Sequence, residues 1–110
     1  MSYKLSVRLF TSEKVFGPGV AQLLHCVQEL HSLRAAAASM NMAYSKAWTV
    51  LRAAERELGF KLLHSTTGGK GGGGAVLTPE GKDLLEKYDA FCCQLESYGD
   101  SLFAQIFPKS

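Results

Sequence analysis

The sequence predicts a mainly α domain with a small β component. Three observations carry that prediction. Between Ser32 and Gly59, two apolar periodicities of helical spacing flank a break at Asn41-Met42. Between Thr66 and Ala75, six glycines surround Lys70 and separate two short apolar runs. From Pro79 a single helical pattern continues almost to the end of the chain. Two helices across a tight turn, a glycine-tipped hairpin and a long last helix make a winged helix-turn-helix. The expected divisions of this single domain, residues 1–110, are a helix-turn-helix at about 32–59, a wing at about 61–78 and a C-terminal helix at about 79–107.

Residues 3–10 alternate, with Tyr3, Leu5, Val7 and Leu9 against Lys4, Ser6 and Arg8, which predicts a half-buried N-terminal strand. Residues 11–16 then read as a turn or loop. Gly17-Pro18-Gly19 punctuates the chain, and Pro18 suits the first turn of a helix. Val20, Leu23, Leu24, Val27 and Leu30 follow at helical spacing, so a first helix spans about 18–30.

The helix-turn-helix comes next. Leu33, Ala36, Ala37 and Met40 share one face behind Ser32, a good N-cap residue. After the break, Ala47, Trp48, Leu51, Ala54 and Leu58 recur at helical spacing. Gly59 stands where a C-terminal cap prefers glycine. The alanines allow the two helices to approach closely.

Residues 61–67 read as a short strand, and Ala75-Val76-Leu77 resumes as its partner. The glycine stretch between them excludes helix and argues against a packed segment, because ordering glycine costs the most backbone entropy. Thr78-Pro79-Glu80 is a strong helix start, with a Thr cap, proline at the first position and an acid in the first turn. A helix of about 29 residues would run roughly 40 Å. A core this small cannot cover that length, so the far end is expected on a second subunit. Leu84, Tyr88, Phe91, Leu95 and Leu102 are the expected contacts of that dimer.

The chain has 110 residues, of which 46% are apolar and 20% charged, the balance of an ordinary globular domain. No apolar run reaches the roughly 18 residues of a membrane span. The start alternates rather than running apolar, unlike a signal peptide. Cys26, Cys92 and Cys93 make a poor disulfide framework and show no metal-ligand spacing to His25, His31 or His64. They read as small core or interface residues in a reducing cytoplasm.

The net charge of +2 is uninformative, but its distribution is not. Residues 32–74 carry six cations against two acids, and residues 75–110 carry three cations against six acids. A basic middle and an acidic tail suit one anion-facing surface. Two solvated faces are the bland alternative.

The second helix of the pair offers the chemistry for such a surface. Tyr44, Ser45 and Lys46 lie in its first turn, and Thr49, Arg52 and Arg56 follow on a face expected to lie opposite Trp48, Leu51 and Leu58. Ser, Lys, Thr and Arg on one face can touch base edges and phosphates, and arginine reads guanine with two hydrogen bonds. Ser32 and Arg34, at the start of the preceding helix, are expected at phosphate through the side chain and the helix N–H groups. Trp48 reads as core rather than as a base-stacking platform.

The glycine loop lacks the Lys-Ser/Thr that follows a phosphate-cradling loop and leads to a strand, which argues against a nucleotide site. Its reading is a flexible tip whose Lys70 lies along the DNA backbone or minor groove, against the alternative of a tip with no role. No nucleophile, base and orienting group can be assembled, so no enzyme, catalytic residue, cofactor or metal is expected. Glu55, Glu57, Asp83 and Glu86 read as helical surface charges.

Residues 32–59 resemble the winged helix-turn-helix of LysR-type regulators. More narrowly, Ala43-Tyr44-Ser45-Lys46-Ala47-Trp48 and the run from Thr66 through Lys70 to Thr78 resemble the N-terminal domain of ModE-type, molybdate-responsive regulators. The likeness covers about residues 17–91 and, more loosely, the whole chain. It implies a homodimer joined by the last helix with help from the first. It also implies that Tyr44, Ser45, Lys46 and Thr49 face the major groove and that Thr66, Thr67 and Lys70 are wing contacts. The molybdate-binding domains of such regulators have no counterpart up to Ser110, so the molybdate response does not carry over and no oxyanion is expected as a ligand.

The expected function is therefore a bacterial-type, sequence-specific, dimeric regulator that binds double-stranded DNA and lacks an effector domain of its own. The alternative is a protein–protein interaction module on the same scaffold, using the apolar end at Leu102, Phe103, Ile106 and Phe107.

Overall fold

The computed structural model describes residues 1–66 and 74–109. Four helices and two small antiparallel hairpins follow in the order β1 (Leu9–Phe10), β2 (Lys14–Phe16), α1 (Pro18–Leu30), α2 (Leu33–Ser39), α3 (Tyr44–Leu58), β3 (Leu63–Thr66), β4 (Gly74–Leu77) and α4 (Pro79–Ile106). The described chain extends 59 × 29 × 22 Å with a radius of gyration of 16.6 Å. A compact chain of this length would have a radius near 13 Å. The excess comes from α4, whose buried residues, Gly81, Leu85 and Tyr88, all lie in its first ten positions.

The helix boundaries follow local chemistry. Pro18 opens α1, where its missing N–H would have had no partner. Ser32 caps α2 by accepting the Ala35 N–H at 3.1 Å. At the other end of α2 the chain closes a Schellman motif: the Met42 N–H donates to the Ala37 carbonyl at 2.8 Å and the Asn41 N–H to that of Ala38 at 3.0 Å. Asn41 is left-handed, at φ 56°, a conformation asparagine tolerates better than most residues. That reversal turns the chain from α2 into α3. Gly59, at φ 81°, ends α3 as the sequence predicts.

Phe16, Leu23, Leu24, Val27, Leu51, Leu62 and Leu85 are fully buried and form the centre of one core. Ala36, Ala37, Ala47 and Ala54 are buried in the same core, where α2 packs on α3 with the close approach their size permits.

The N-terminal segment departs from expectation. The strand over residues 3–10 is reduced to Leu9–Phe10, and the expected loop at 11–16 contains its partner β2. Residues 1–8 have no strand beside them and run against α4 instead. Tyr3 donates a 2.7 Å hydrogen bond to Asp100 Oδ1, and the Tyr88 hydroxyl donates to the Val7 carbonyl at 2.7 Å. The alternation reflects this partial cover: Tyr3 and Val7 are half-buried, while Leu5 is exposed.

The hairpin of β3 and β4 pairs Leu63 with Leu77 and Thr66 with Gly74. Its base is held by four polar links. The Leu62 N–H donates to Glu55 Oε2 at 2.7 Å, the Thr78 hydroxyl to the Lys61 carbonyl at 2.6 Å and the Thr78 N–H to the Leu62 carbonyl at 2.9 Å. The Ala75 N–H donates to the carbonyl of His31, between α1 and α2, at 3.0 Å. Thr78 Oγ1 also accepts the Gly81 N–H, capping α4. Gly81 packs so closely that a Cβ there would lie 2.6 Å from the Leu62 carbonyl oxygen.

Candidate nucleic-acid interface

α3 is two-faced. Ala47, Leu51 and Ala54 are buried against α1, α2 and β2, while Ser45, Lys46, Thr49, Arg52 and Arg56 are exposed. The helix therefore offers one uninterrupted surface of hydroxyls and cations to solvent. Among the described residues, Lys87 forms an ion pair with Asp83 at 2.9 Å, and His25 Nε2 lies 2.8 Å from Asp89 Oδ2. None of the cations of α3 is neutralised by either. Arg56, in the last turn, also complements the negative end of the helix dipole.

Two sequence expectations change at this surface. Arg52 does not lie opposite Trp48: its guanidinium carbon stands 5.0 Å from the centre of the Trp48 ring, as residues one turn apart on a shared flank can. Trp48 is half-buried rather than core, with one side on the core and the other under Arg52. Arg34, from α2, stacks over the Tyr44 ring at 4.1 Å across the turn. Tyr44 and Trp48 meet edge to face, with centroids 6.3 Å apart.

The remaining expected residues divide clearly. Ser32 Oγ is engaged as the α2 cap, so its acceptor role is internal. The Thr49 hydroxyl donates to the Ser45 carbonyl at 2.9 Å, leaving its oxygen as an acceptor towards solvent. Thr66 is exposed at the end of β3, on the hairpin beyond the base that Glu55 ties to α3. Thr67 and Lys70 lie outside the described residues.

Sequence reasoning missed the roles of two acids. Glu55 is no free surface charge but the acceptor for Leu62, and Glu57 accepts a 3.1 Å hydrogen bond from the Thr11 hydroxyl. No spacing rule reveals either, since the partners are seven and 46 residues away. Asp83 remains a surface charge, paired with Lys87 one turn on.

On α4, Tyr88 differs from its expected place at a subunit contact. It is 6% exposed, packs edge to face on Phe16 with centroids 5.0 Å apart, and is sealed in by Val7. Burial raises its phenol to about 12. Leu84 and Leu95 are half-buried, while Phe91, Tyr98, Leu102 and Ile106 are exposed, Tyr98 by 70% and Ile106 by 60%. Phe91, Leu95, Tyr98, Leu102 and Ile106 succeed one another at three and four residues and so form one apolar stripe. Among the described residues no group of His, Cys, Asp and Glu is arranged to hold a metal ion, and no helix is long and apolar enough to cross a membrane.

Known proteins share this arrangement. The profile of the bacterial regulatory helix-turn-helix proteins of the lysR family matches residues 20–82, from α1 through the first turn of α4. The molybdenum-pterin-binding protein MopB of Rhodobacter capsulatus is 38% identical over 68 residues, covering 62% of this chain and 25% of that protein. The transcriptional regulator ModE of Haemophilus influenzae is 35% identical over 89 residues, covering 81% of this chain and 33% of that protein. The chain thus spans a quarter to a third of the length of these relatives. The fold is that of the CbnR domain solved in a complex with DNA, with a TM-score of 0.61 over 80% of this chain and 95% of that one, at 23% identity. The profile match takes in the helix pair, the wing strands and the cap of α4, and the chain belongs to the lysR family of bacterial regulatory helix-turn-helix proteins.

Proposed function

We propose that the chain binds double-stranded DNA as a homodimer and regulates transcription from a two-fold symmetric site. α3 enters the major groove with Ser45, Lys46 and Thr49 towards base edges and Arg52 and Arg56 towards guanine or phosphate, with Tyr44 behind them under Arg34. Arg34 meets the backbone from α2, and the wing follows the backbone from Thr66, with Thr67 and Lys70 as its further contacts. The observation that carries this reading is the exposed face of α3, on which Ser45, Lys46, Thr49, Arg52 and Arg56 stand together with no acid paired to them among the described residues. The CbnR domain of the same fold was solved with DNA, which supports the choice of ligand.

The dimer reading rests on the apolar stripe of α4. Five large apolar side chains in register along one helix are a self-complementary surface when two copies pair about a two-fold axis. Leu84, Phe91, Leu95 and Leu102 supply contacts in this reading. Tyr88 acts behind them, fixing α4 to its own core.

Fluorescence anisotropy with a random duplex pool, at low and moderate salt and followed by selection of the bound fraction, tests the reading. Affinity should fall with salt by a logarithmic slope near −0.9 for each phosphate neutralised. The selected sites should share a two-fold symmetric pair of half-sites. Absence of duplex binding at low salt overturns the reading.

A further inference from the structure

We propose that Tyr44 and Trp48 are positioning residues that hold Arg34 and Arg52 ready for the nucleic acid, an inference that rests on the DNA-binding reading above. Four side chains form a ladder on one flank of the helix pair. Arg34 stacks on Tyr44 at 4.1 Å, Tyr44 meets Trp48 edge to face at 6.3 Å, and Arg52 lies over Trp48 at 5.0 Å. Tyr44, Trp48 and Arg52 follow one another at four-residue intervals, so the three cover about 12 Å of the α3 axis. Arg34 reaches the same ladder from the other helix of the motif.

The geometry suits positioning rather than packing alone. Both rings are half-buried and packed against the core, whereas both arginines are exposed. A ring attracts a guanidinium through its charge and offers no lone-pair acceptor to its N–H groups. The acceptors those N–H donors require are the ones phosphate and the guanine edge supply. A free arginine loses much rotamer freedom when it binds. An arginine already resting on a ring has lost part of that freedom before the ligand arrives, which strengthens binding without a new contact. The edge-to-face contact of the two rings links the Arg34 site to the Arg52 site across the turn.

The test is a pair of double-mutant cycles on duplex binding, read by fluorescence anisotropy with the selected site. Trp48→Leu should weaken binding by about threefold to tenfold, the range of a lost cation–π contact and its preorganisation. Trp48→Leu combined with Arg52→Ala should bind no more than about twofold more weakly than Arg52→Ala alone, because the ring then has no arginine to position. Tyr44→Leu and Arg34→Ala should behave alike. Trp48→Phe, which keeps a ring, should recover most of the loss. Effects of Trp48→Leu and Arg52→Ala that simply multiply would overturn the inference while leaving the DNA-binding reading intact. Failure of the unaltered protein to bind duplex would overturn both. A second measurement needs no DNA and guards against a misfolded variant. In the free protein, the Arg52 side-chain protons next to the guanidinium should resonate upfield from the Trp48 ring current and return on Trp48→Leu. Unshifted Arg52 protons in the unaltered protein would also overturn the inference.

Discussion

Glu55 and Leu62 are joined by a 2.7 Å hydrogen bond from the Leu62 N–H to Glu55 Oε2. This bond fixes the wing base to the helix that carries the cationic face. Leu62 is fully buried, and removing the carboxylate takes away the acceptor of its N–H. Glu55→Ala should therefore cost about 1–3 kcal/mol of stability, and Glu55→Gln, which keeps an acceptor oxygen, clearly less. Urea unfolding of the two variants compares them directly. Equal losses would mean that the carboxylate's charge, rather than an acceptor oxygen at that place, is what the bond requires.

Thr78 joins the wing to α4. Its hydroxyl donates to Lys61 and accepts from Gly81, and the residue is only 2% exposed. Thr78→Val keeps the shape and removes both hydrogen bonds, which should cost about 1–3 kcal/mol. Thr78→Ser should keep most of the stability. Thermal unfolding of both variants is the check.

Tyr3 is packed over Gly99, where a Cβ would stand 2.5 Å from the phenol oxygen. The hydrogen bond to Asp100 is the main cause that raises the Tyr3 phenol to about 12, from an ordinary value near 10. The neutral phenol is the form the fold favours. Its contribution is complete below about pH 10 and is lost as pH rises towards 12. Tyr88 acts with the same sign. Gly99→Ala should displace Tyr3 and return its titration towards the ordinary range. Helix propensity gained at position 99 offsets part of the lost packing. Ultraviolet titration of the phenolate, with Tyr3→Phe as reference, measures the change. An unshifted titration in Gly99→Ala would show that the segment accommodates the methyl group.

Lys46 and Arg52 are exposed on α3 and form no ion pair among the described residues, so neither holds the fold through a salt bridge. Lys46→Ala with Arg52→Ala should weaken specific duplex binding and reduce the salt slope by about two if both meet phosphate. The unfolding midpoint should change little. Unaltered affinity in the well-folded double variant would remove both residues from the interface.

Leu102 and Ile106 are exposed side by side on the α4 stripe, far beyond the buried first turns. Leu102→Glu with Ile106→Glu places like charges opposite one another in a self-paired helix and should shift the chain towards monomer. Sedimentation velocity across a concentration series reads the shift. The monomeric variant should retain its helix content, because neither side chain lies in the core.

Much of the fold is legible in the sequence where the signal is local. Pro18, Ser32, Gly59 and Thr78 mark helix ends by their own backbone and capping chemistry, and each end stands where those residues indicate. The α3 surface is legible for the same reason: a period of 3.6 separates Ala47, Leu51 and Ala54 from Ser45, Lys46 and Thr49. Residues 3–8 were not legible. Their alternation describes a strand only if another strand lies beside it, and here the neighbour is a helix. Tyr88 was not legible either, because a helical period gives the face of α4 but not which element covers it. Arg52 on Trp48 follows from a four-residue spacing, whereas Arg34 on Tyr44 depends on the angle between two helices.

The sequence by itself determined the four helices, the wing hairpin, their order and the two-faced character of α3, because caps, turns and periodicity act over a few residues. Tertiary structure decided which polar groups are free and which are engaged. It drew Glu55 to Leu62, Tyr3 to Asp100 and Tyr88 to Val7, and it set Arg34 of α2 on the Tyr44 ring of α3. Two of those partnerships, Tyr3 with Asp100 and Tyr88 with Val7, join opposite ends of the chain. They form only when burial of the apolar core brings their elements together, and each is directed by a side-chain geometry that no local pattern encodes.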